Sequence, residues 1–280
     1  MKISLLLVPG LGILLGLAAC NTPAARAPEA ARPAGSHLAP LALPAAPVQA
    51  VRYQLLTETA TKPGCLDAHG NSRALEVSRQ FLHLLGPDTL LPALQKLQCP
   101  LPAQRRAQLQ QELKGMHCES EDDAQYSSYS NMEVSFNAHG VLSLLVMESA
   151  DTGGAYPQNS NELCTYDLAT GKLCPVEKWL RPGHDLALRQ LFTKCLLADS
   201  TGKEFAAYRA SDEEGAKAKP YVVDQLPSLG MNKSGLFCLL GDLGAPHVIE
   251  GVPITIPYAA LRSYVLPGTP LARVVAAQGR

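Results

Sequence analysis

From about residue 126 onward, hydrophobic and polar positions alternate in short bursts broken by turn residues. Met132, Val134 and Phe136 alternate with Glu133 and Ser135, a period of two that gives a strand one apolar and one wet face. Asn137-Ala138-His139-Gly140 then supplies a turn starter and a glycine for a positive-φ position, the chemistry of a short hairpin loop. Residues 141–147 are almost continuously apolar, as in a strand covered on both faces. A bend follows at Gly153-Gly154-Ala155-Tyr156-Pro157, and then a second hairpin turning at Leu168-Ala169-Thr170-Gly171-Lys172. Residues 175–180 predict a tight helical turn with Trp179 as a core anchor. Residues 185–198 predict a helix with Leu188, Leu191, Phe192 and Cys195 on its inner face. Residues 203–219 read as a polar, exposed excursion. Asn232-Lys233-Ser234-Gly235 repeats the Asn-x-x-Gly device before a strand at 236–240, with another strand at 252–256 and a short helix over 257–264. Beyond residue 270 the pattern predicts a frayed end.

The first half reads differently. Residues 51–58 have strand character. Ser72 can cap a helix whose Val77, Phe81, Leu84 and Leu85 share one face, ended by Gly86-Pro87. A second short helix would carry Leu90, Leu91, Leu94 and Leu97, and a third, after Pro102, Leu109, Leu113 and Met116. The fold class expected is α+β: an antiparallel, hairpin-rich sheet packed against helices, with an added N-terminal helical segment. Residues 51–120 form that segment and 121–270 the main domain.

Charge changes this picture little. The chain carries 24 Lys/Arg and 25 Asp/Glu over 280 residues, which argues against nucleic acid as a partner. The balance is uneven, however: residues 117–280 hold 13 basic and 19 acidic side chains. Clusters at Glu119-Ser120-Glu121-Asp122-Asp123 and Asp212-Glu213-Glu214 supply much of that excess. They read first as solvated loops and second as a surface for a basic partner.

The N-terminus carries an address. Lys2 followed by an apolar run over 3–17 has the form of a secretion signal, too short and too Gly-interrupted to span a membrane. It ends in Leu17-Ala18-Ala19-Cys20, which resembles the bacterial lipobox, so residues 1–19 are expected to be removed and Cys20 to be lipidated. Asn21 after that cysteine fits export to an outer membrane. Residues 20–50 are rich in Ala and Pro, the composition of a tether. Extended at about 3.1 Å per residue it could reach ~90 Å.

Seven further cysteines remain: Cys65, Cys99, Cys118, Cys164, Cys174, Cys195 and Cys238. In an exported chain they are disulfide candidates, with one left over. Cys164 and Cys174 flank the Thr170-Gly171 turn and could form a cross-strand bridge. Cys195 with Cys238 is a second option, and among Cys65, Cys99 and Cys118 one pair plus a free thiol is expected. There is no C-x-x-C, and His117-Cys118-Glu119 alone is no ligand set, so neither metal nor cofactor is expected.

The order of these motifs, from strand and GGAYP through the DLATGK turn, amphipathic helix, NKSG hairpin and APH–G to IPYAAL, resembles a known domain over about residues 130–266. It is similar to the ectodomain of the lysozyme-binding anti-sigma-V factors, a domain of unknown function that recurs in bacterial lipoproteins. Gly153, Gly154, Tyr156, Asp167, Gly171 and Tyr258 stand at positions of that pattern, most of them as turn and packing residues. The resemblance implies an extracytoplasmic binding domain. The helical segment 72–116 and the cysteines fall outside the pattern, and APHV stands where bacillus-type members more often have alanine-proline-tyrosine.

No G-x-S-x-G, P-loop, G-x-G-x-x-G or H-E-x-x-H occurs, so no catalytic residues are assigned. The expected function is that of a non-enzymatic, lipid-anchored envelope protein. Its α+β domain would bind a lysozyme-like protein or a cell-wall component through a surface including Gly153, Gly154, Tyr156, His247 and Glu250. Two alternatives stand beside it. One is an envelope hydrolase or deacetylase acting on peptidoglycan, using His247 with Asp242 or Glu250; the other is a structural lipoprotein without a ligand.

Overall fold

The computed structural model describes residues 50–64, 74–85, 100–116, 126–151, 156–212 and 223–278. In chain order these form β1 (Arg52–Lys62), β2 (Leu75–Leu85), α1 (Pro102–Gly115), β3 (Ser127–Ala138), β4 (Val141–Asp151), β5 (Gln158–Asp167) and β6 (Lys172–Leu173). Then follow α2 (Asp185–Ala198), α3 (Ser200–Asp212), β7 (Gly230–Met231), β8 (Gly235–Leu239), β9 (Pro253–Pro257), α4 (Tyr258–Leu261) and α5 (Pro270–Gln278). The class is α+β. One sheet runs β1-β2-β3-β4-β5-β6 and a second β7-β8-β9. All neighbours pair antiparallel except β2 and β3, whose parallel contact is short, from Glu76↔Ser127 to Arg79↔Ser130. The second predicted N-terminal helix, Cys20, the tether, Cys65, Cys99, Cys118, Gly153, Gly154 and the acidic residues at 119–123 and 213–214 lie outside the described residues.

The strand β2 overturns the helix expected from Ser72. Its odd positions face α1: Leu75 and Val77 join Leu109, Leu113 and Met116 in a small core. On the same face Arg79 pairs with Glu112 at 2.6 Å, and the Arg105 guanidinium lies 5.6 Å over the Phe81 ring. The even positions Leu82 and Leu84 join the opposite cluster with Val51, Leu142, Leu144, Cys164 and Leu168. A strand buried on one face at its start and on the other at its end mimics the i, i+4, i+7 spacing of a helix. Eleven residue pairs with β1 decide for strand. The helix after Pro102 forms as predicted, with proline in its first turn and the Leu101 N–H donating to Gln104 Oε1 at 2.9 Å.

The hairpin of β3 and β4 turns through His139 (φ 51) and Gly140 (φ 79), the two positive-φ positions of a type I′ loop. Asn137 does not start this turn with its side chain. Its amide instead clamps the beginning of β1, accepting the Val51 N–H at 3.0 Å and donating to the Val51 carbonyl at 2.6 Å. The alternation of Met132, Val134 and Phe136 does not hold to one face. The register slips by one between Val134↔Leu144 and Phe136↔Ser143, so Ser135 is a bulge and Phe136 crosses to the other side. Met132 and Val134 pack with Leu142 and Leu144, whereas Phe136 packs with Val141 in the largest core.

That core gathers Trp179, Leu188, Phe192, Leu196, Phe205, Met231, Leu236, Ile254, Tyr258 and Leu271 between the two sheets and α2–α5. The residues of β4 from Val141 to Leu145 are all buried, as the apolar run requires. Within it, Ser143 is a buried polar staple: its hydroxyl meets Thr165 Oγ1 at 3.0 Å and accepts the Met231 N–H at 3.1 Å, tying β7 to β4. The excursion expected at 203–219 is helical through Asp212, because the Asp199 carboxylate accepts the Gly202 N–H at 2.9 Å and restarts the helix. Phe205 and Ala206 are buried there. The expected frayed end is α5, with Leu271, Val274 and Val275 buried. His184 stands at the start of α2 without a side-chain cap, its ring set edgewise to Tyr264 instead.

The four described cysteines are free thiols. The Cys164–Cys174 bridge fails on register. Tyr166↔Leu173 and Asp167↔Lys172 pair, and the Cys174 N–H continues that ladder to the Thr165 carbonyl. Cys174 therefore faces Thr165, one residue from Cys164, and successive side chains point to opposite faces. Cys238 is enclosed in the main core while Cys195 sits at its margin, and no bond joins them.

Candidate functional site

The segment after β8 is folded back by its own backbone. The Asp242 carboxylate accepts the Leu239 N–H at 3.3 Å, Gly244 takes φ 78, and the Gly241 N–H reaches the Glu250 carbonyl at 2.8 Å. Inside this closed loop the Ile249 N–H bonds the Pro246 carbonyl at 2.9 Å, a turn that puts His247 and Glu250 on one side and Val248 at the tip. Val248 is 84% exposed.

Three of the residues singled out from sequence meet there. His247 Nδ1 lies 3.0 Å from Glu250 Oε2, and Tyr156 is 5.6 Å from His247 between ring centroids, edge to face. Tyr156 itself is 69% exposed. A fourth member, Asn159, is one the sequence reading passed over. From the start of β5 its Nδ2 donates to Glu250 Oε1 at 2.6 Å and lies 3.5 Å from His247 Nε2. Both carboxylate oxygens of Glu250 are thus engaged, which fixes the imidazole and the amide before any ligand arrives. No local signal marks Asn159, since Gln158 and Ser160 beside it are equally exposed; only the fold brings it to the loop.

Asp242 does not join this group. It turns instead to the adjoining cleft of about 270 Å³, lined among others by Asn161, Glu162, Glu177 and Ser228. Burial of its carboxyl raises the Asp242 pKa above the usual carboxylate value, although part of the residue stays exposed. Glu177 Oε1 accepts the Leu229 N–H at 2.8 Å. The Cys164 thiol in the cleft wall is pushed up to about 12, by burial first and then by Glu162. A thiol held that firmly protonated is a poor nucleophile. Among the described residues no cluster of three or more His, Cys, Asp or Glu could hold a metal ion, and no helix is long and apolar enough to cross a membrane.

Chemically, the Tyr156–Asn159–His247–Glu250 group is a pre-ordered surface of one aromatic ring and three mutually bonded polar side chains. Of the two carboxylates that a His247-centred hydrolase reading named, Glu250 is in reach and Asp242 is committed to a backbone cap. The other hydrogen-bonding neighbour of His247 is an amide, which neither attacks a substrate nor takes a proton.

The architecture defines a class: an α+β domain in which a mixed six-stranded sheet and a small antiparallel sheet share a core with the helices that follow. That arrangement is similar to solved structures of the DUF3298 family, a domain of unknown function. One, from Pseudomonas aeruginosa PAO1, matches with a TM-score of 0.52 and 20% identity over 79% of this chain and 96% of that one. Another, from Bacteroides fragilis, gives 0.56 and 16% over 81% and 99%. Likeness at such identities carries the fold. No family model matches the chain, and no curated protein does.

Proposed function

We propose that the chain is a non-enzymatic, lipid-anchored protein of the cell envelope whose α+β domain binds an extracytoplasmic partner through the Tyr156–Asn159–His247–Glu250 surface. The observation that carries this reading is the pairing of exposed apolar groups, Tyr156 and Val248, with polar side chains already locked to one another. Interfaces gain most from rigid aromatic anchors beside satisfied polar groups. The lipobox and tether read from the sequence support an extracytoplasmic address. The resemblance to the anti-sigma-V ectodomains supports a lysozyme-like protein or a cell-wall component as partner.

The reading is tested by measuring binding of purified lysozyme and of purified cell-wall sacculi to the full chain and to its Tyr156→Ala and Val248→Asp variants. At least one of the two ligands should bind, and both substitutions should weaken that binding by about tenfold or more without lowering the melting temperature. Binding that ignores both substitutions would remove this surface from the function. A second reading, an envelope hydrolase, is favoured by one observation, the 3.0 Å approach of His247 to Glu250. Release of soluble fragments from sacculi, abolished by His247→Ala, would establish it instead.

A further inference from the structure

Resting on that binding reading, we infer that the surface is a saccharide site: Tyr156 stacks against a pyranose ring while Asn159 and Glu250 bond its hydroxyls, and the 270 Å³ cleft beside Asn161 receives the next ring. Three features of Tyr156, β5 and the 240–251 loop carry this. The first is the ring. Tyr156 keeps most of its surface open, and the negative face of an aromatic ring attracts the weakly positive C–H bonds lining one side of a pyranose.

The second is the form of the polar groups. Glu250 gives one lone pair on each oxygen to Asn159 and His247 and keeps the others. The Asn159 amide uses Nδ2 in the cluster, and its carbonyl oxygen bonds no other described residue. The amide oxygen and the carboxylate, both planar and held side by side, offer lone pairs at fixed positions. Sugar hydroxyls, each able to donate and accept, match such a set. Because the Glu250 charge is already shared with an amide N–H and an imidazole, a hydroxyl ligand meets it without stranding an unpaired ion. Holding these groups in place beforehand also spares the ordering cost of binding.

The third is the continuation of the site. Asn159 and Asn161 are two apart on one strand, so they share a face at a spacing of about 7 Å. Asn161 lines the cleft together with Ser228, Glu177 and Asp242, a second row of hydroxyl partners displaced along β5 from the first. At about 270 Å³ the cleft falls just below the ~300–1,000 Å³ of pockets that enclose whole drug-sized ligands, the room expected for one ring of a longer chain.

The test titrates the full chain with soluble pyranose tetrasaccharides (chitotetraose, cellotetraose and maltotetraose) by calorimetry, with lysozyme titrated in parallel as the protein ligand. At least one sugar should bind. Tyr156→Ala and Asn159→Ala should each weaken it about tenfold or more, and Tyr156→Trp, which keeps the ring face, should restore it. Asn161→Ala should weaken the tetrasaccharide but not the corresponding disaccharide. If no sugar binds while lysozyme does so in a Tyr156-dependent way, the saccharide inference is wrong and the binding reading stands. If a sugar binds equally to the Tyr156→Ala and Asn159→Ala variants, the site is misplaced. If neither ligand binds, and sacculi are ignored as well, both the inference and the reading beneath it fall.

Discussion

The two ends of the six-stranded sheet are held by different physics. At the β1 end, five of the described apolar residues are buried in the core of the face shared by β1, β2 and α1. It is completed by charged side chains: Arg105 with Glu58 at 2.5 Å, and Arg79 with Glu112 at 2.6 Å. This region joins the rest by four parallel residue pairs, by the opposite face of β2 and by the Asn137 clamp on Val51. At the β4–β6 end the sheet is sealed under β7–β9 and four helices by a continuous apolar core, with Ser143 and Thr165 as its satisfied polar pair. Burying apolar area is non-directional and tolerates small shifts. A half-buried ion pair is worth something only while both partners keep their geometry. The first region should therefore loosen piecewise and the second only as a whole.

Phe192→Ala strikes the second region hardest. The ring is wholly buried, and truncating such a ring leaves a cavity that costs about 3–5 kcal/mol. Unfolding should stay cooperative, with every probe reporting the same lowered midpoint in thermal or urea melts. If β1 survived that transition, the two regions would be separate folding units.

Arg105→Ala should cost less and act locally. The guanidinium is almost fully buried, bonds Glu58 and the Pro100 carbonyl, and covers Phe81. Its removal strands a carboxylate at a cost on the order of 2–3 kcal/mol. Hydrogen exchange should quicken in β1 and α1 and remain slow in β8. Arg105→Lys should rescue only part of this, since an ammonium cannot make the forked contact. Equal loss of protection in β8 would show that the edge and the body open together.

The same contrast sets what could be read from residues alone. Wherever a strand is buried without a change of face, or a turn needs its own residues, the pattern sufficed. Residues 141–147 became β4, Gly140 and Gly171 took positive φ (79 and 64), and Asn232 Oδ1 holds the Ser234 and Gly235 N–H groups. Reading failed where burial changes face. In β2 the buried positions pass from Leu75 and Val77 to Leu82 and Leu84, and at Ser135 a bulge does the same to β3. Neither switch leaves a mark in a periodicity count, because each is decided by what packs from above. α5 is a different case: Thr269-Pro270 is a sound helix start, with the Ala272 N–H bonding Thr269 Oγ1 at 3.3 Å, and position near the end of the chain masked it. For the candidate site, Tyr156, His247 and Glu250 stood out as lone residues at bends. Asn159 could not, since its role comes from β5 passing beside a loop some ninety residues away.

The last contrast is in proton linkage, and among the described residues it falls on the second region. Cys164 and Tyr166 on β5 are each pushed up to about 12 from 9.0 and 10.0 respectively, chiefly by burial. Cys238 and Tyr258 in the main core are raised by burial as well. Each group is neutral when protonated, and the fold holds it so. Its folded pKa lies above its unfolded one, so the unfolded chain releases the proton first as pH rises. The stability tied to these four groups is whole below about pH 9 and drains between the ordinary values and about pH 12. Melting temperatures should therefore be flat from pH 7 to 8.5 and fall above that, with β5 and the main core losing hydrogen-exchange protection before α1. Cys164→Ala should make the decline above pH 9 shallower. It should also leave native-state thiol labelling unchanged, because a protonated, buried Cys164 labels slowly from the outset. A decline as steep in Cys164→Ala as in the parent chain would mean that this thiol is no more enclosed in the fold than in the unfolded chain, and the sealed character claimed for the β4–β6 end would have to rest on its apolar residues alone.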